Sequence, residues 1–239
     1  MAIYVIADLH LDVKSNEKSM EVFGPRWKNY TNRIQTNWNK LVTPFDTVII
    51  PGDISWALTT QDALYDLLWI DQLNGKKIVM KGNHDFWWST VSKMKRFFCE
   101  NCINSIDILN NNALEVENYI IAGSRGWFVD KAVQNTELNV DYDKIVNREV
   151  IRLNMSLTAA QELKSNTNKE IIAFFHFPPV WSDYCCQPLV DTLKKHGVTR
   201  CYFGHIHGNY TTNGCFEYDG IKFNMVSADY LDFIPLFIE

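Results

Sequence analysis

Long apolar runs are missing from this chain, and no stretch approaches the roughly 20 residues that a membrane-spanning helix needs. An integral membrane protein is therefore not expected. A basic excess is missing too. Lysine and arginine number 23 against 28 aspartates and glutamates, for a formal net charge of −5. That balance argues against a general nucleic-acid binder, which needs a basic face. Long blocks of like charge are absent and aromatic content is 13%, which argues against disorder. No basic leader precedes the first apolar segment, which reads Met1-Ala2-Ile3-Tyr4-Val5-Ile6-Ala7-Asp8. A secretory signal is not expected, and the expectation is a soluble, cytoplasmic protein. Cysteine is sparse, with six in 239 residues. Cys99 and Cys102 form a single C-x-x-C, with no second pair to complete a zinc knuckle, so free thiols are expected. Internal repeats, linkers and low-complexity segments are also lacking.

What is present is a chain of 239 residues, 46% hydrophobic, enough for one sizeable core. Residues 1–239 are expected to form a single domain. Short apolar runs rich in β-branched and aromatic residues recur at Ile3–Ala7, Thr47–Ile50, Ile78–Met80, Tyr119–Ala122, Ile171–Phe175 and Cys201–Phe203. Each is too short for a buried helix and predicts a strand covered on both faces. Helices are predicted between them. Trp27, Tyr30, Ile34, Trp38 and Leu41 make one apolar stripe. Thr60 and Ser89 are candidate caps. A long helix is expected from about Asp141 to Lys164, and a short one from Pro188 to His196. Cys215–Tyr218, Asp219-Gly220 and Ile221–Val226 predict a C-terminal β-hairpin, since Asp-Gly suits a tight turn. The alternation indicates a layered α/β sandwich.

Five of the six histidines stand in short polar blocks that follow these strands. The blocks are Asp8-Leu9-His10, Gly52-Asp53, Gly82-Asn83-His84-Asp85, His176 and Gly204-His205-Ile206-His207. Asp, Asn and His are poor strand formers and costly to bury. Their repetition where apolar strands end points to one shared site, at the sheet edge where α/β proteins bind ligands. Oxygen and imidazole donors without thiolate suit divalent transition metals. Each block alone has a plainer reading as a turn, a cap or a packed histidine. His196, the remaining histidine, sits near a helix C-terminus, where a cation is favoured, and reads as structural.

Taken in order, D-x-H, G-D, G-N-H-D, H and G-H-x-H, the blocks resemble the calcineurin-like metallophosphoesterase family, from Asp8 to His207. The resemblance implies a four-layer αββα sandwich and two divalent metal ions, Mn²⁺ foremost, with Fe, Zn²⁺, Co²⁺ or Ni²⁺ as options. Asp8, His10 and His207 would hold one ion. Asn83, His176 and His205 would hold the other, and Asp53 would bridge them. His84, with Asn83, would face the substrate phosphate as electrostatic stabiliser or general acid. Asp85 would orient His84 or support the ligands. The implied reaction is hydrolysis of a phosphomonoester or small phosphodiester by a metal-bridging hydroxide. Bound metal lowers the pKa of water from about 15.7 to roughly 7 and clamps the phosphate oxygens. Asn83 suits this role because its amide oxygen coordinates without adding charge, leaving the core about singly positive.

Two further segments can frame a substrate. In Gly123-Ser124-Arg125-Gly126-Trp127, Arg125 can grip a phosphate bidentately, or the segment is a turn with a packed tryptophan. In Phe23-Gly24-Pro25-Arg26-Trp27, Arg26 opens a helix, where an anionic partner or a salt bridge would account for it. Phe86, Trp87 and Trp88 can wall the site or pack in the core. Segments of the forms G-[ST]-R-G-W and F-G-P-R-W also make the whole chain similar to a group of bacterial predicted phosphohydrolases. Alternatives within this frame are a cyclic-nucleotide-type phosphodiesterase and a non-catalytic binding scaffold on the same fold. A single-metal or structural zinc protein is a third. The oligomeric state is not legible in the sequence.

Overall fold

Strands form where the sequence concentrates β-branched residues between polar blocks. In the computed structural model, which describes residues 1–15, 17–128, 141–165 and 167–239, all six expected strands are present. The residues group into two units. The first comprises Met1–Ile108, Gly204–Thr212 and Val226–Glu239, and the second Leu109–Phe203 and Asn213–Met225. Each is built on one mixed sheet, so the chain has an α/β fold. No helix among the described residues is long and apolar enough to cross a membrane.

The sheet of the first unit contains β1 (Ile3–Val5), β2 (Thr47–Ile50), β3 (Lys76–Val79), β4 (Ile106–Ile108) and β13 (Leu236–Ile238). Its order is β13-β1-β2-β3-β4, with β1 to β4 parallel and β13 antiparallel to β1. Ile3 pairs with Thr47, and Thr47 with Lys76. Because the strands run parallel and in register, their carboxyl ends reach one edge, and the blocks that follow reach it too. The chain after β1 continues alongside the chain after β2. Asp8 N–H donates to Gly52 O (3.0 Å), His10 N–H to Asp53 O (2.9 Å) and Leu11 N–H to Ile54 O (2.9 Å).

Helices α1 (Tyr30–Leu41), α2 (Leu64–Gln72) and α3 (Val91–Glu100) cover this sheet. Most of the expected stripe is buried: Tyr30, Ile34 and Trp38 join Ile6, Val48, Ile50 and Val79 in one core cluster, whereas Leu41, at the end of α1, is exposed. Burying such a side chain contributes about 1.5–3 kcal/mol. Trp27 is also buried but precedes α1, in a 3₁₀ turn at Pro25–Trp27. The caps differ from expectation. Thr90, not Ser89, caps α3 by accepting from Lys93 N–H. Thr60 does not cap α2, and its hydroxyl donates to Trp87 O at 2.9 Å. The carboxyl end of α2 is held by Lys77, whose buried ammonium donates to the carbonyls of Asp71, Leu73 and Gly75 at 2.7–3.1 Å. That placement suits a cation at a helix C-terminus.

The sheet of the second unit contains β5 (Leu114–Val116), β6 (Tyr119–Ser124), β7 (Glu170–Phe175), β10 (Arg200–Phe203), β11 (Cys215–Tyr218) and β12 (Ile221–Met225). Its order is β11-β12-β10-β7-β6-β5, with the inner four parallel. Strands β11 and β12 are the expected hairpin, and Asp219 (φ 51°) and Gly220 (φ 78°) take the left-handed turn conformation. Helix α4 (Tyr142–Lys164) is capped by Asp141 and buries Ile145, Val146, Leu153 and Leu157. Its Ser156 hydroxyl accepts from Gly123 N–H on β6 at 2.9 Å. Helix α5 (Gln187–Lys195) carries its proline in the first turn, as expected. A two-residue ribbon, β8 (Val180–Trp181) with β9 (Tyr184–Cys185), completes this unit.

Candidate metal centre

Asp8 and His10 follow β1, Asp53 follows β2, Asn83, His84 and Asp85 follow β3, and His205 and His207 lie in the segment Gly204–Thr212. All belong to the first unit. Four of them hold left-handed backbone: Asp8 (φ 62°), His10 (φ 46°), Asp53 (φ 51°) and His205 (φ 71°). Asp and His are among the residue types that visit this region most readily. Such conformations cost of order 1–3 kcal/mol each and cluster at functional sites.

The side chains converge. Donor atoms of Asp8, His10 and His207 lie within 4.8 Å of one another. His10 Nε2 is 3.1 Å from His207 Nε2 and 3.7 Å from Asp53 Oδ2. His205 N–H donates to Asp8 Oδ2 (2.9 Å), and His84 N–H donates to Asp53 Oδ1 (2.8 Å). Asp8, His10 and Asp53 are buried. The His84 ring packs against Trp56 at 4.5 Å, and Trp56 stacks on His10 at 4.7 Å. Tyr30 OH donates to His10 O at 2.8 Å and holds that loop to α1. His176, also buried, directly follows β7 in the second unit.

Two glycines of these blocks serve close approach. A Cβ at Gly82 would lie 2.0 Å from Asp53 Oδ1, and one at Gly204 would lie 2.6 Å from Asp8 Oδ2. Neither has positive φ, whereas Gly52 (φ 92°) takes left-handed backbone in a sharp turn after β2. Asp85 is fully buried and ties the blocks together. It accepts from Gly82 N–H (2.8 Å), Ile54 N–H (2.9 Å), Ser55 N–H (3.2 Å) and Trp87 Nε1–H (2.9 Å).

Electrostatics show what the arrangement lacks. Burial raises the Asp8 carboxyl to about 6. Burial, then the neighbouring carboxylates of Asp8 and Asp85, raises Asp53 to about 9. Burial also pushes His205 down to about 4 and His10 well below its ordinary value. Protein alone thus disfavours charge on these four groups. A divalent cation reverses this, since it stabilises carboxylates and takes neutral imidazole. The donor set, nitrogen and oxygen without thiolate, fits such an ion.

Sequence reasoning missed Asp229. This fully buried carboxylate accepts from Gly208 N–H (3.0 Å) and bonds His207 Nδ1 (2.9 Å). It can fix the tautomer that leaves Nε2 free to coordinate. The signal was available: Ser227-Ala228-Asp229 is a polar block after β12, and Ala7 bridges to Ser227. Trp56 was missed too, because nothing in Gly52-Asp53-Ile54-Ser55-Trp56 shows that its ring returns to the site.

The other candidates divide. Arg26 bonds Asp229 O (2.9 Å) and pairs with Asp232 (3.1 Å), which is the salt-bridge reading. Arg125 lies in the second unit with Nη2 4.0 Å from Glu149 Oε1, and its guanidinium sits 5.8 Å from the Trp127 and Phe177 rings. Glu149 is buried on α4 and also accepts from Arg152 at 2.5 Å. Trp87 is a core residue, while Phe86 is exposed. His196 caps α5 and bonds Asn154 at 3.1 Å, in keeping with its structural reading. The six cysteines are free thiols.

Comparison with solved structures finds chains similar to this one. AQ665 from Aquifex aeolicus is 18% identical, with TM-score 0.46, over 99% of this chain and 95% of its own. Phosphopantetheinyl hydrolase from Mycobacterium tuberculosis is 14% identical, with TM-score 0.50, over 95% of this chain and 88% of its own. TT1561 of Thermus thermophilus is 10% identical, with TM-score 0.52, over 99% of this chain and 97% of its own. No curated protein matches the chain. The family model described as calcineurin-like phosphoesterase matches residues 1–209. With most of the chain matched and the metal-type donors gathered where that sheet ends, the protein belongs to the calcineurin-like phosphoesterase family.

Proposed function

We propose that this phosphoesterase hydrolyses a phosphomonoester or small phosphodiester with two divalent ions, Mn²⁺ foremost, and that residues 1–239 act as one catalytic domain. The observation that carries the reading is the convergence of Asp8, His10 and His207, backed by Asp229. These three would hold one ion. Asn83, His176 and His205 would hold the other, with Asp53 shared, as the order of the sequence blocks supports. When bound, such ions supply a low-pKa water and a positive clamp for phosphoryl oxygens.

The chain's own residues do the rest. Asp85 positions the loops after β2 and β3, so that Asp53, Asn83 and His84 stay in place. The backbone N–H of His84 holds Asp53, and the imidazole, braced by Trp56, remains partly exposed toward substrate. In the proposed step a water oxygen bonds to phosphorus and loses a proton to solvent, and the ester P–O bond breaks. The departing oxygen keeps the electron pair and takes up one proton, either from a protonated His84 that solvent then reprotonates or from solvent while His84 stabilises the phosphate electrostatically. Asn83 and Arg125 would contact the phosphate, with Glu149 holding the Arg125 guanidinium.

The test is direct. Protein supplied with Mn²⁺ should bind two ions per chain and hydrolyse p-nitrophenyl phosphate or its bis-ester, and Asp53→Asn should abolish the activity. Undiminished activity in Asp53→Asn would refute the assignment. A metal stoichiometry of one would refute the paired site.

A further inference from the structure

A cavity of about 260 Å³ in the first unit is lined by Asp12, Lys14, Lys18, Trp56, Leu58 and Asp66, among others. It has room for on the order of nine waters at about 30 Å³ each, comparable to a sugar or a small ring with one substituent. Trp56 is the link to the metal centre. Trp56 borders the cavity, and its ring stacks on His10 at 4.7 Å, nearly parallel at 22°, and lies 4.5 Å from the His84 ring. One residue therefore borders both the cavity and the metal centre. A phosphate held among the metal-type donors also brings an organic part, and the space beyond Trp56 can receive it.

The polar lining indicates what that part carries. The carboxylates are engaged within the protein. Asp12 accepts from Ser15 N–H and Oγ–H and from Lys18 N–H, at 2.6–3.4 Å. Asp66 is buried and accepts from Val13 N–H (2.8 Å) and from the Ser55 hydroxyl. Asp62 accepts from the Thr59 hydroxyl at 2.6 Å. The lysines are engaged differently. Lys18 Nζ donates to Trp56 O at 3.2 Å, and Lys14 Nζ lies 4.9 Å from the Tyr65 ring centroid. Neither ammonium pairs with a carboxylate among the described residues. Each therefore has hydrogen-bonding capacity left for an anion. Ala57 and Leu58 add an apolar surface, and Leu58 is exposed.

We propose that this cavity is the subsite for the organic part of the substrate, and that it selects phosphate esters bearing a second anionic group, a carboxylate or a phosphate, held by Lys14 and Lys18. This rests on the phosphohydrolase reading above and names the substrate class of the same site. Trp56 forms the wall between the reacting phosphate and the second anion.

The experiment uses the full chain loaded with Mn²⁺ and two matched pairs of esters: phenyl phosphate against 4-carboxyphenyl phosphate, and glucose 1-phosphate against glucose 1,6-bisphosphate. The quantity read is the ratio of kcat/KM within each pair. Two nearly solvent-exposed charge contacts should favour the doubly anionic member by about tenfold at low salt. The preference should appear mainly in KM and shrink as ionic strength rises. Lys14→Ala combined with Lys18→Ala should bring the ratio close to unity, and Lys14→Arg with Lys18→Arg should retain it. Lys93→Ala with Lys95→Ala, the same charge change on α3, should leave the ratio as in the unaltered protein. The two pairs separate a carboxylate preference from a phosphate preference, and either supports the subsite. Equal kcat/KM within both pairs, or a preference that survives loss of both lysines, overturns the subsite while leaving the phosphohydrolase reading intact. Failure to hydrolyse any of the four monoesters with Mn²⁺ bound would also overturn the subsite, and only failure with p-nitrophenyl phosphate and its bis-ester as well would remove the phosphohydrolase reading.

Discussion

Replacing Asp229 by asparagine tests the architecture behind the ligands rather than the ligands themselves. Asp229 is fully buried and its two oxygens are divided between His207 Nδ1 (2.9 Å) and Gly208 N–H (3.0 Å). Asparagine keeps the shape and one acceptor but loses the charge and puts a donor in place of the other oxygen. The lost interaction is a charge-assisted hydrogen bond in a buried setting, worth about 1.5–3 kcal/mol. If that bond serves to present His207 Nε2 to an ion, metal affinity should fall by roughly 10–100-fold, about 1.4–2.8 kcal/mol, the usual effect of removing such a carboxylate partner. Calorimetric titration with Mn²⁺ measures this directly. Activity at limiting Mn²⁺ should fall in parallel and recover at high Mn²⁺, because no coordinating atom has been removed. Asp53→Asn should show no such recovery. Mn²⁺ affinity within about twofold of the unaltered protein would refute the reasoning, since His207 would then need no charged partner to bind.

Two other outcomes follow from the structure. Gly82→Ala places a methyl 2.0 Å from Asp53 Oδ1 and 2.2 Å from Asp53 N, so the Asp53 loop must move. Loss of Mn²⁺ binding and a lowered melting temperature are expected, and a variant that folds and binds Mn²⁺ normally would show that the contact is not needed. At Asp46, burial favours the neutral acid, but hydrogen bonds from Ala2 N–H (2.6 Å) and from Thr43 N–H and Oγ–H (2.8 and 2.7 Å) outweigh it and hold the carboxyl below its ordinary value. Below an ordinary carboxylate pKa of about 4 the unfolded chain binds more protons than the folded one, so stability rises with pH across that window. The contribution is complete above it and is lost as pH falls through the lowered folded value. Asp46→Asn should therefore cost most at neutral pH and progressively less in acid, as denaturant unfolding at a series of pH values would show. A cost that does not change with pH would contradict this account.

Composition and pattern determined a good deal. Apolar, β-branched segments bounded by polar blocks specify strands whatever surrounds them, so Thr47–Ile50 is β2 with the expected ends. The stripe through Tyr30, Ile34 and Trp38 specifies a buried helix face, and Asp219-Gly220 a tight turn, because each depends on local periodicity or local backbone freedom. The cost of burying Asp, Asn and His at strand ends pointed to one shared site, and the order of the blocks carried the resemblance to the family. Helix caps were less legible. Ser89 and Thr90 have equal capping chemistry, and the choice depends on where the chain enters α3.

Only the tertiary structure decided the contacts that join distant segments. Asp229 is 22 residues from His207 along the chain, and neither a spacing rule nor local propensity couples them. Parallel register brings the ends of β1, β2 and β3 to one edge, which is why Gly82 is required as room for Asp53 rather than as a turn. Trp56 reads as one more aromatic until its ring is seen stacked on His10, with a cavity on its border. Residue type and order follow from the chain's local chemistry, whereas which carboxylate meets which imidazole follows from packing, because those distances exist only after the strands have paired.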